Sequence, residues 1–196
     1  MNMSSTDSIF QAVVVGSSAG GLFALTTILE KLPEDYTLPI IIVQHRTKEQ
    51  GQLLEEILQT KCKLKIKQAD EKEKIKPGYV YVAPPNYHLL IEKDKTLSLS
   101  SDERIKFSRP SIDVLFETAA YVFQKHLIGI IMTGANSDGT EGMCAIQQLG
   151  GLTIAQQPSE AEYRMMPEAA IEAGCVGHVM SLIEIQSFLY NLSFPK

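Results

Sequence analysis

A turn rich in glycine and serine follows the first apolar run of the chain. The β-branched run at 12–15 ends at a pentapeptide, Gly16 to Gly20, that reads Gly-Ser-Ser-Ala-Gly before a helical pattern begins at Leu22. A strand, a tight turn and a helix in this order place free backbone N–H groups at a helix N-terminus, where partial positive charge favours an anion. Such a turn can cradle a phosphate, or it can present a serine nucleophile in a G-x-S-x-G setting, here with Ser18 at its centre.

Polar side chains that could assist a serine follow two other apolar runs. His45 comes after the run at 39–43, and Asp138 comes after the run at 127–132. The carboxyl ends of parallel strands meet at one edge of an open sheet, where ligands bind, so we expect Ser18, His45 and Asp138 on one rim. A hydroxyl, an imidazole that takes its proton and a carboxylate that orients the imidazole are the groups that acyl transfer needs.

A dinucleotide-binding turn fits the same stretch less well. That fingerprint requires glycine where Ser18 stands, and it requires an acidic residue after the second strand, where this chain has Gln44 and His45. The sequence therefore favours a serine hydrolase, with a phosphate-binding doubly wound protein as an alternative. The order of serine, histidine and acid also differs from that of the α/β-hydrolases, in which the acid precedes the histidine.

Each candidate residue has a structural interpretation as well as a chemical one. Ser17 could be the nucleophile, or its hydroxyl could cap the turn. His45 could be no more than a hydrogen-bonded residue at a strand end. Asp138 precedes a helical pattern and is a natural N-cap for that helix. Arg109 and Asp113 could bind substrate, or they could stabilise the start of a helix.

The elements that would position these groups alternate between strands and helices. Such alternation predicts an α/β domain of three layers, with a doubly wound, mainly parallel sheet and right-handed crossovers. In residues 62–67, apolar residues alternate with lysines, so the lysines share one side of the strand, which is typical of an edge strand. Residues 89–91 and 96–99 predict a β-hairpin at the margin of the sheet. Further strands are predicted at 12–15, 39–43, 79–82, 127–132, 152–155 and 176–180, and helices at 22–32, 50–60, 111–124, 166–173 and 181–192, with another ending near 149.

The composition limits the class of protein. The chain has 196 residues, is 44% apolar and carries a net charge of −5, which suits a single domain over 1–196 and argues against nonspecific binding to nucleic acid. No apolar run approaches the roughly 20 residues that span a bilayer, and no secretory signal is recognisable. We therefore expect a cytoplasmic protein without direct membrane insertion. Cys62, Cys144 and Cys175 form no disulfide or zinc pattern and are expected to be reduced.

Several blocks of the sequence together resemble one known family, the catalytic domain of the chemotaxis protein-glutamate methylesterase CheB. The resemblance runs from about Phe10 to the last predicted helix, and the blocks occur in the family's order. They are 16–21 (Gly-Ser-Ser-Ala-Gly-Gly), 43–45 (Val-Gln-His), 81–84 with His88, 109–116 (Arg-Pro-Ser-Ile-Asp-Val-Leu-Phe), 132–134 with Asp138 and Gly139, and Met166-Pro167 with Ala170 and Ile171.

The resemblance implies a reaction and roles for individual residues. Ser18 would be the nucleophile, His45 the base and Asp138 the orienting acid. The substrates would be glutamate methyl esters on the cytoplasmic helices of chemoreceptors, with glutamine deamidation as a second activity, and no metal or organic cofactor is needed. The candidate residues for the oxyanion and for substrate binding are Ala19, Gly20, Gly134, Ala135, Asn136, Arg109 and Met166.

The sequence departs from the family pattern in three ways. Ala19 replaces the usual hydroxyl residue after the nucleophile, and Ala135 replaces the methionine of a T-G-M-G loop, which predicts weaker activity or altered substrate choice if those side chains assist. The first catalytic strand begins near Ile9, which leaves no room for the receiver domain of most members, so we expect a separate regulatory protein.

The alternative to the enzyme is an inactive module that keeps the receptor-docking cleft. Seven lysines within 61–76 predict a solvated face or, alternatively, attraction to acidic receptor helices.

Overall fold

The computed structural model describes residues 10–46 and 52–193. No helix among these residues is long and apolar enough to cross a lipid bilayer. In chain order, the described elements are β1 (Ala12–Ser17), α1 (Gly21–Leu29), β2 (Ile40–Gln44), α2 (Leu53–Lys61), β3 (Lys65–Gln68), β4 (Tyr79–Val82), β5 (His88–Ile91), β6 (Leu97–Ser100), α3 (Ile112–Phe123), β7 (Leu127–Ile131), α4 (Thr140–Gln148), β8 (Leu152–Gln156), α5 (Met165–Glu172), β9 (His178–Met180) and α6 (Leu182–Asn191).

The main sheet has seven parallel strands in the order β3-β4-β2-β1-β7-β8-β9. The predicted α/β fold is therefore confirmed. The central strand β1 is the point from which the chain builds outward, first toward β3 and then toward β9. In sheets of this kind, ligands bind beyond the carboxyl end of the strand at which the order reverses. The Ser17–Ser18 turn occupies that position.

Helices cover both faces of the sheet and create two apolar cores. Because successive strand residues point to opposite faces, Ala12 and Val14 of β1 lie in the core beneath α3, α4 and α5, whereas Val13 and Val15 lie in the core beneath α1, α2 and α6. All four residues are fully buried. Burial on both faces explains why the central strands are continuous apolar runs instead of alternating ones.

The predicted hairpin is present, but it is not at the margin of the main sheet. β5 and β6 form a separate two-stranded antiparallel sheet. Its apolar side chains, including Leu89 and Leu97, are buried in the same core as α3, and the Ile91 N–H donates to Thr118 Oγ1 at 3.2 Å. The hairpin covers the α3 layer because that is where its apolar face finds a partner. One edge strand of the sheet is β3, as predicted, although it begins at Lys65 instead of at residue 62, and the other is β9.

The expectation that all cysteines are reduced is wrong for two of them. Cys144 on α4 and Cys175 after α5 form a disulfide, with 4.6 Å between their Cα atoms. They are 31 residues apart in sequence, and only the packing of α4 against α5 brings them together. Cys62 is free and buried, and its burial raises the pKa of the thiol to about 11.

Candidate active site

The turn after β1 holds Ser18 at the carboxyl edge of the sheet. The Ser18 N–H donates to the Thr133 carbonyl at 2.9 Å, and the Ser18 carbonyl accepts from the Gly21 N–H at 2.9 Å. Gly20 has a φ of 77°, a left-handed conformation that glycine adopts without strain, and it is the residue from which α1 begins. The sequence therefore folds into a sharp strand-to-helix turn, which leaves the Ser18 side chain partly exposed.

His45 lies between Ser18 and Asp138. Its Nδ1 is 3.2 Å from Ser18 Oγ, and its Nε2 is 2.7 Å from Asp138 Oδ2. Since an ionised carboxylate can only accept a hydrogen bond, this pairing favours the tautomer with the proton on Nε2. Nδ1 then carries the lone pair and can accept from the Ser18 hydroxyl. The three side chains, which come from separate strand ends, thus form one continuous hydrogen-bonded chain.

The Asp138 carboxylate is fully buried at the N-terminus of α3. It accepts hydrogen bonds from Ser111 Oγ at 2.8 Å, from the Ile112 N–H at 2.7 Å and from the Asp113 N–H at 3.1 Å. Burial by itself would raise the pKa of this carboxyl, but the hydrogen bond from His45 and the backbone donors of α3 hold the pKa below its ordinary value. Asp138 is therefore held as an ionised acceptor.

The structural interpretation of Asp138 as the N-cap of the helix that follows it is wrong. That helix, α4, begins after Gly139 and has no side-chain cap. Asp138 instead satisfies the first backbone donors of α3, a helix that precedes it in sequence. A carboxylate at that position also interacts favourably with the positive end of the helix dipole.

The candidate oxyanion donors fall into two groups. The Gly134 N–H donates to the Tyr163 carbonyl at 2.9 Å, so it is already used. By contrast, the N–H groups of Ala19, Gly20, Ala135 and Asn136 have no hydrogen-bond acceptor among residues 10–46 and 52–193.

Met166 and Asn136 shape the loop that carries Asp138. Met166 is fully buried, and its N–H donates to the Gly134 carbonyl at 3.1 Å. A Cβ on Gly134 would lie 2.5 Å from Met166 Cε, so this loop packs closely onto α5. Asn136 Oδ1 accepts from the Asp138 N–H at 3.1 Å. Met166 therefore supports the loop from beneath, and Asn136 fixes the backbone at the acid.

Arg109 has several hydrogen-bond acceptors in the neighbouring loops, and its role in substrate binding stays a prediction. Its guanidinium donates to the carbonyls of Ser101 and Asp102, at 2.6 and 2.8 Å, and to Asn86 Oδ1 at 2.9 Å. These contacts fix the loops that lead into α3.

Asp113 likewise has structural partners. It accepts from Lys106 Nζ and from the Gly142 N–H, both at 2.9 Å. Burial, together with the nearby Asp138 charge, raises the pKa of Asp113 to about 6 against the opposing donors.

Gln44 is a site residue to which the sequence assigned no role beyond its mismatch with a dinucleotide fingerprint. Its Nε2 donates to the Ser18 carbonyl at 2.6 Å and to the His45 carbonyl at 3.1 Å, and its Oε1 accepts from Ser17 Oγ at 2.5 Å. One amide therefore connects the turn of the serine to the strand end of the histidine. The Ser17 hydroxyl is buried and satisfied by Gln44, which argues against Ser17 as the nucleophile.

His88 and Ser111 form an outer part of the site that sequence reasoning did not assign. His88 is buried, its Nδ1 accepts from the Ser111 N–H at 3.1 Å, and its Nε2 donates to the Glu103 carbonyl at 2.9 Å. The Ser111 hydroxyl then donates to Asp138. The only sequence signal was that both residues fall within the blocks that resemble the family.

A groove opens beside Ser18 and His45. It has a volume of about 610 Å³ and runs between α1 and α2, with Glu162 lining it beside Gly20. Thr133 braces this side, because its Oγ1 donates to the Ala19 carbonyl at 2.9 Å and accepts from the Tyr163 N–H at 2.9 Å. The hydroxyl of Ser18 thus faces a space that can admit another molecule.

Comparison with known proteins points to one family. The family model for CheB methylesterase matches residues 13–189. A putative protein-glutamate methylesterase/protein-glutamine glutaminase from Leptospira interrogans is 54% identical over 184 residues, which are 93% of this chain and 95% of that protein. A protein-glutamate methylesterase/protein-glutamine glutaminase from Clostridium acetobutylicum is 34% identical over 181 residues, and there the match covers 92% of this chain but 52% of the relative.

A solved structure agrees with the sequence comparisons. The CheB methylesterase catalytic domain from Thermotoga maritima superposes with a TM-score of 0.89 at 32% identity, covering 93% of this chain and 98% of that one. The superposed fold, the identity to the relatives and the family model over residues 13–189 therefore all indicate the same family. This chain belongs to the CheB methylesterase family.

Proposed function

We propose that this chain hydrolyses glutamate methyl esters on proteins, with Ser18 as nucleophile, His45 as general base and Asp138 as the acid that orients the imidazole. The observation that carries the proposal is the position of His45, with Nδ1 3.2 Å from Ser18 Oγ and Nε2 2.7 Å from Asp138 Oδ2. The same three groups, with the two ring nitrogens exchanged, activate the serine hydroxyl for acyl transfer in serine proteases.

The reaction takes two steps on the same serine. His45 Nδ1 accepts the proton of Ser18 as Oγ attacks the ester carbonyl, and the imidazolium then gives that proton to the departing methanol. This leaves a glutamyl ester on Ser18. Water attacks that ester, again with His45 as base, and releases the glutamate carboxylate and the free serine. A positioned base of this kind contributes roughly 10²- to 10⁴-fold to the rate.

The negative charge of the tetrahedral intermediates needs hydrogen-bond donors. The N–H groups of Ala19 and Gly20 fit this role because they lie at the start of α1 and have no acceptor among the described residues. Those of Ala135 and Asn136 are the second pair of candidates. One such donor is worth about 3 kcal/mol in the transition state. Because backbone groups supply these donors, the alanine at position 19 does not remove them.

The proposed substrate is the methylated cytoplasmic domain of a chemoreceptor, as expected for the family. That substrate sets the proposed location in the cytoplasm. Relatives carry the second name protein-glutamine glutaminase, and the same acyl-enzyme forms from a glutamine side chain when ammonia leaves in place of methanol. We therefore include glutamine deamidation in the proposal. Control by a separate regulatory protein stays a prediction.

Methanol release from a methylated receptor tests the proposal. Ser18→Ala should lower kcat by about 10⁴-fold or more, with an unchanged circular dichroism spectrum and melting temperature. Ser17→Ala is the matched control, because the neighbouring hydroxyl contacts Gln44 and not His45. It should retain most of the activity. Equal losses in the two variants, or full activity of Ser18→Ala, would overturn the assignment of the nucleophile.

The alternative of an inactive binding module has no specific observation in its favour. The relatives named above carry enzyme names, and the hydroxyl, imidazole and carboxylate lie within hydrogen-bonding distance of one another. An inactive module would bind methylated receptor without releasing methanol, so the same assay separates the two.

A further inference from the structure

An apolar stripe on α1 and α2 lines the groove beside Ser18 and has no partner among the described residues. Leu22, Phe23 and Ile57 border the groove, and the Phe23 side chain is 73% exposed. Leu53, which is 54% exposed, continues the stripe. Large apolar side chains of this exposure, next to one another around a concave surface, mark a binding site more often than a free surface.

The spacing along the two helices makes the stripe continuous. Leu53, Ile57 and Lys61 are four residues apart on α2, so they share one face. Leu22 and Thr26 have the same spacing on α1 and lie on the other side of the groove. The α2 wall has nine residues and is therefore about 13 Å long, which is the length of roughly two turns of a bound helix.

The walls of the groove decide the conformation of its occupant. Both walls are helices, whose backbone groups beyond the first turn are paired internally, so an extended peptide would find no open strand edge to extend. An amphipathic helix, by contrast, can insert its apolar side chains between two such walls. A helix in this groove would also pass beside Ser18 and His45, which line the same space.

The positive charge of Lys61, at the end of the stripe, favours an occupant that carries a negative charge next to its apolar face. Lys61 lines the groove and makes no ion pair within the part of the chain that the structure describes. The other charged side chain that lines the groove among the described residues is Glu162, which lies beside Gly20 at the start of α1. A partner helix that carries a carboxylate on the α2 side would pair with Lys61, and a glutamate-bearing substrate supplies such groups.

We propose that the groove between α1 and α2 docks a helical segment of the methyl-esterified protein substrate, with its apolar face on Phe23 and Ile57 and a carboxylate at Lys61. The inference rests on the proposed function for the identity of the occupant. It adds the surface of this chain on which the helical segment of the substrate binds. Small esters, which lack a helix, would use Ser18 without this surface.

Binding and hydrolysis are measured separately to test the proposal. The dissociation constant of a methylated chemoreceptor cytoplasmic fragment is determined on the Ser18→Ala protein, alone and combined with Phe23→Asp or Lys61→Glu. Each added change should weaken binding by about tenfold or more, since a fully desolvated aromatic anchor or charge pair is worth at least one decade. Salt should weaken binding to the Ser18→Ala protein, and it should do so less after Lys61→Glu.

Two matched controls separate docking from general surface effects. Tyr121 is also 73% exposed but lies on α3, on the opposite face of the sheet, so Tyr121→Asp should leave the dissociation constant within about twofold. Lys63 is exposed and lines a different surface, near Glu30 and Tyr190. Lys63→Glu therefore makes the same charge change as Lys61→Glu outside the groove and should have little effect.

The second readout uses proteins that keep Ser18. It is the ratio of kcat/KM for the methylated receptor to kcat/KM for a small methyl ester. Phe23→Asp should lower this ratio about tenfold. Unchanged dissociation constants, or equal effects of Phe23→Asp and Tyr121→Asp, would overturn the docking surface even if the wild type releases methanol. Failure of the wild type to release methanol from receptor or ester would refute the proposed function, while groove-dependent binding would still support the docking surface.

Discussion

The Asp138 carboxylate lies 2.7 Å from Nε2 of His45. The same carboxylate accepts hydrogen bonds from the first backbone N–H groups of α3. A single buried group therefore joins the packing of a helix to the orientation of an imidazole. The helix cannot shift without moving the acid, and the acid cannot turn without leaving two backbone N–H groups unpaired. We infer that the stability of the α3 N-terminus and the alignment of His45 are coupled.

Asp138→Asn should inactivate the enzyme while largely preserving its shape. If the amide oxygen takes the place of Oδ1, it keeps the donors Ser111 and Asp113. The amide N–H₂ then takes the place of Oδ2, where it loses the Ile112 N–H and forces His45 Nε2 to accept. The proton then moves to Nδ1, which faces Ser18 and can no longer act as a base. A wrong tautomer of this kind costs about 10⁴-fold in kcat in a serine protease, and we expect a similar loss. Steady-state methanol release gives kcat, and retention of more than a tenth of it would contradict the assigned role.

Ser111→Ala should reduce kcat by about tenfold without a comparable change in KM, because outer partners of this type orient the reacting groups. The Ser111 hydroxyl donates to Asp138 Oδ1 at 2.8 Å and is buried. Its loss removes one of the donors that fix the carboxylate. Ser111→Thr keeps the hydroxyl and is the rescue variant. A loss of stability with unchanged kcat in Ser111→Ala, or no rescue by threonine, would limit Ser111 to a structural role.

Much of this site could be predicted from the sequence because strand ends are easy to recognise. Ser18, His45 and Asp138 each follow an apolar run, and parallel pairing alone brings such ends to one edge. The contacts of Gln44 and His88 could not be predicted in this way. Each depends on which side chain fills a buried position next to a residue more than 20 places away, and periodicity carries no information on that.

The wrong expectations have the same physical origin. The Cys144–Cys175 disulfide depends on the packing of α4 against α5, which spacing in sequence does not report. The hairpin was recognised from local signals, whereas its place over α3 depends on which apolar surface remained uncovered.

Glu55→Gln should destabilise the fold by about 3 to 5 kcal/mol, because it leaves the buried Arg46 guanidinium without its counter-charge. Glu55 accepts from Arg46 with both oxygens, at 2.5 and 2.8 Å, and both side chains are less than a tenth exposed. Arg46 also donates to the Ala83 carbonyl at 3.0 Å. Since Arg46 follows His45 directly, we also expect kcat to fall. Denaturant unfolding measures the free-energy change.

The double variant Arg46→Met with Glu55→Leu is the control for the preceding prediction. Replacing both charges with apolar side chains removes the unpaired charge, so most of the lost stability should return. If the double variant is as unstable as Glu55→Gln, the loss comes from packing and not from the buried charge.

Asp113→Asn should make the protein more stable at neutral pH relative to the wild type, and this advantage should disappear in acid. Burial raises the pKa of Asp113 from the ordinary 3.8 to about 6, so the folded state holds this proton more tightly than the unfolded state. The contribution of Asp113 therefore falls as pH rises from about 4 to about 6, by on the order of 2 to 3 kcal/mol. Asparagine has no such proton, and near pH 4 the two proteins should unfold with similar free energies.

Denaturant unfolding of both proteins from pH 4 to pH 7 measures this difference. Asp138→Asn supplies a contrast of opposite sign, because the pKa of Asp138 is lowered and not raised in the folded state. The stability that Asp138 contributes is present above its ordinary pKa and is lost as pH falls through the lowered one. Asp138→Asn should therefore be about equally destabilising from pH 4 to pH 7, and its effect should shrink only below the ordinary pKa of 3.8. If Asp113→Asn and the wild type show parallel stability curves over this range, the burial of an ionised Asp113 beside Asp138 carries no energetic cost, and the prediction is wrong.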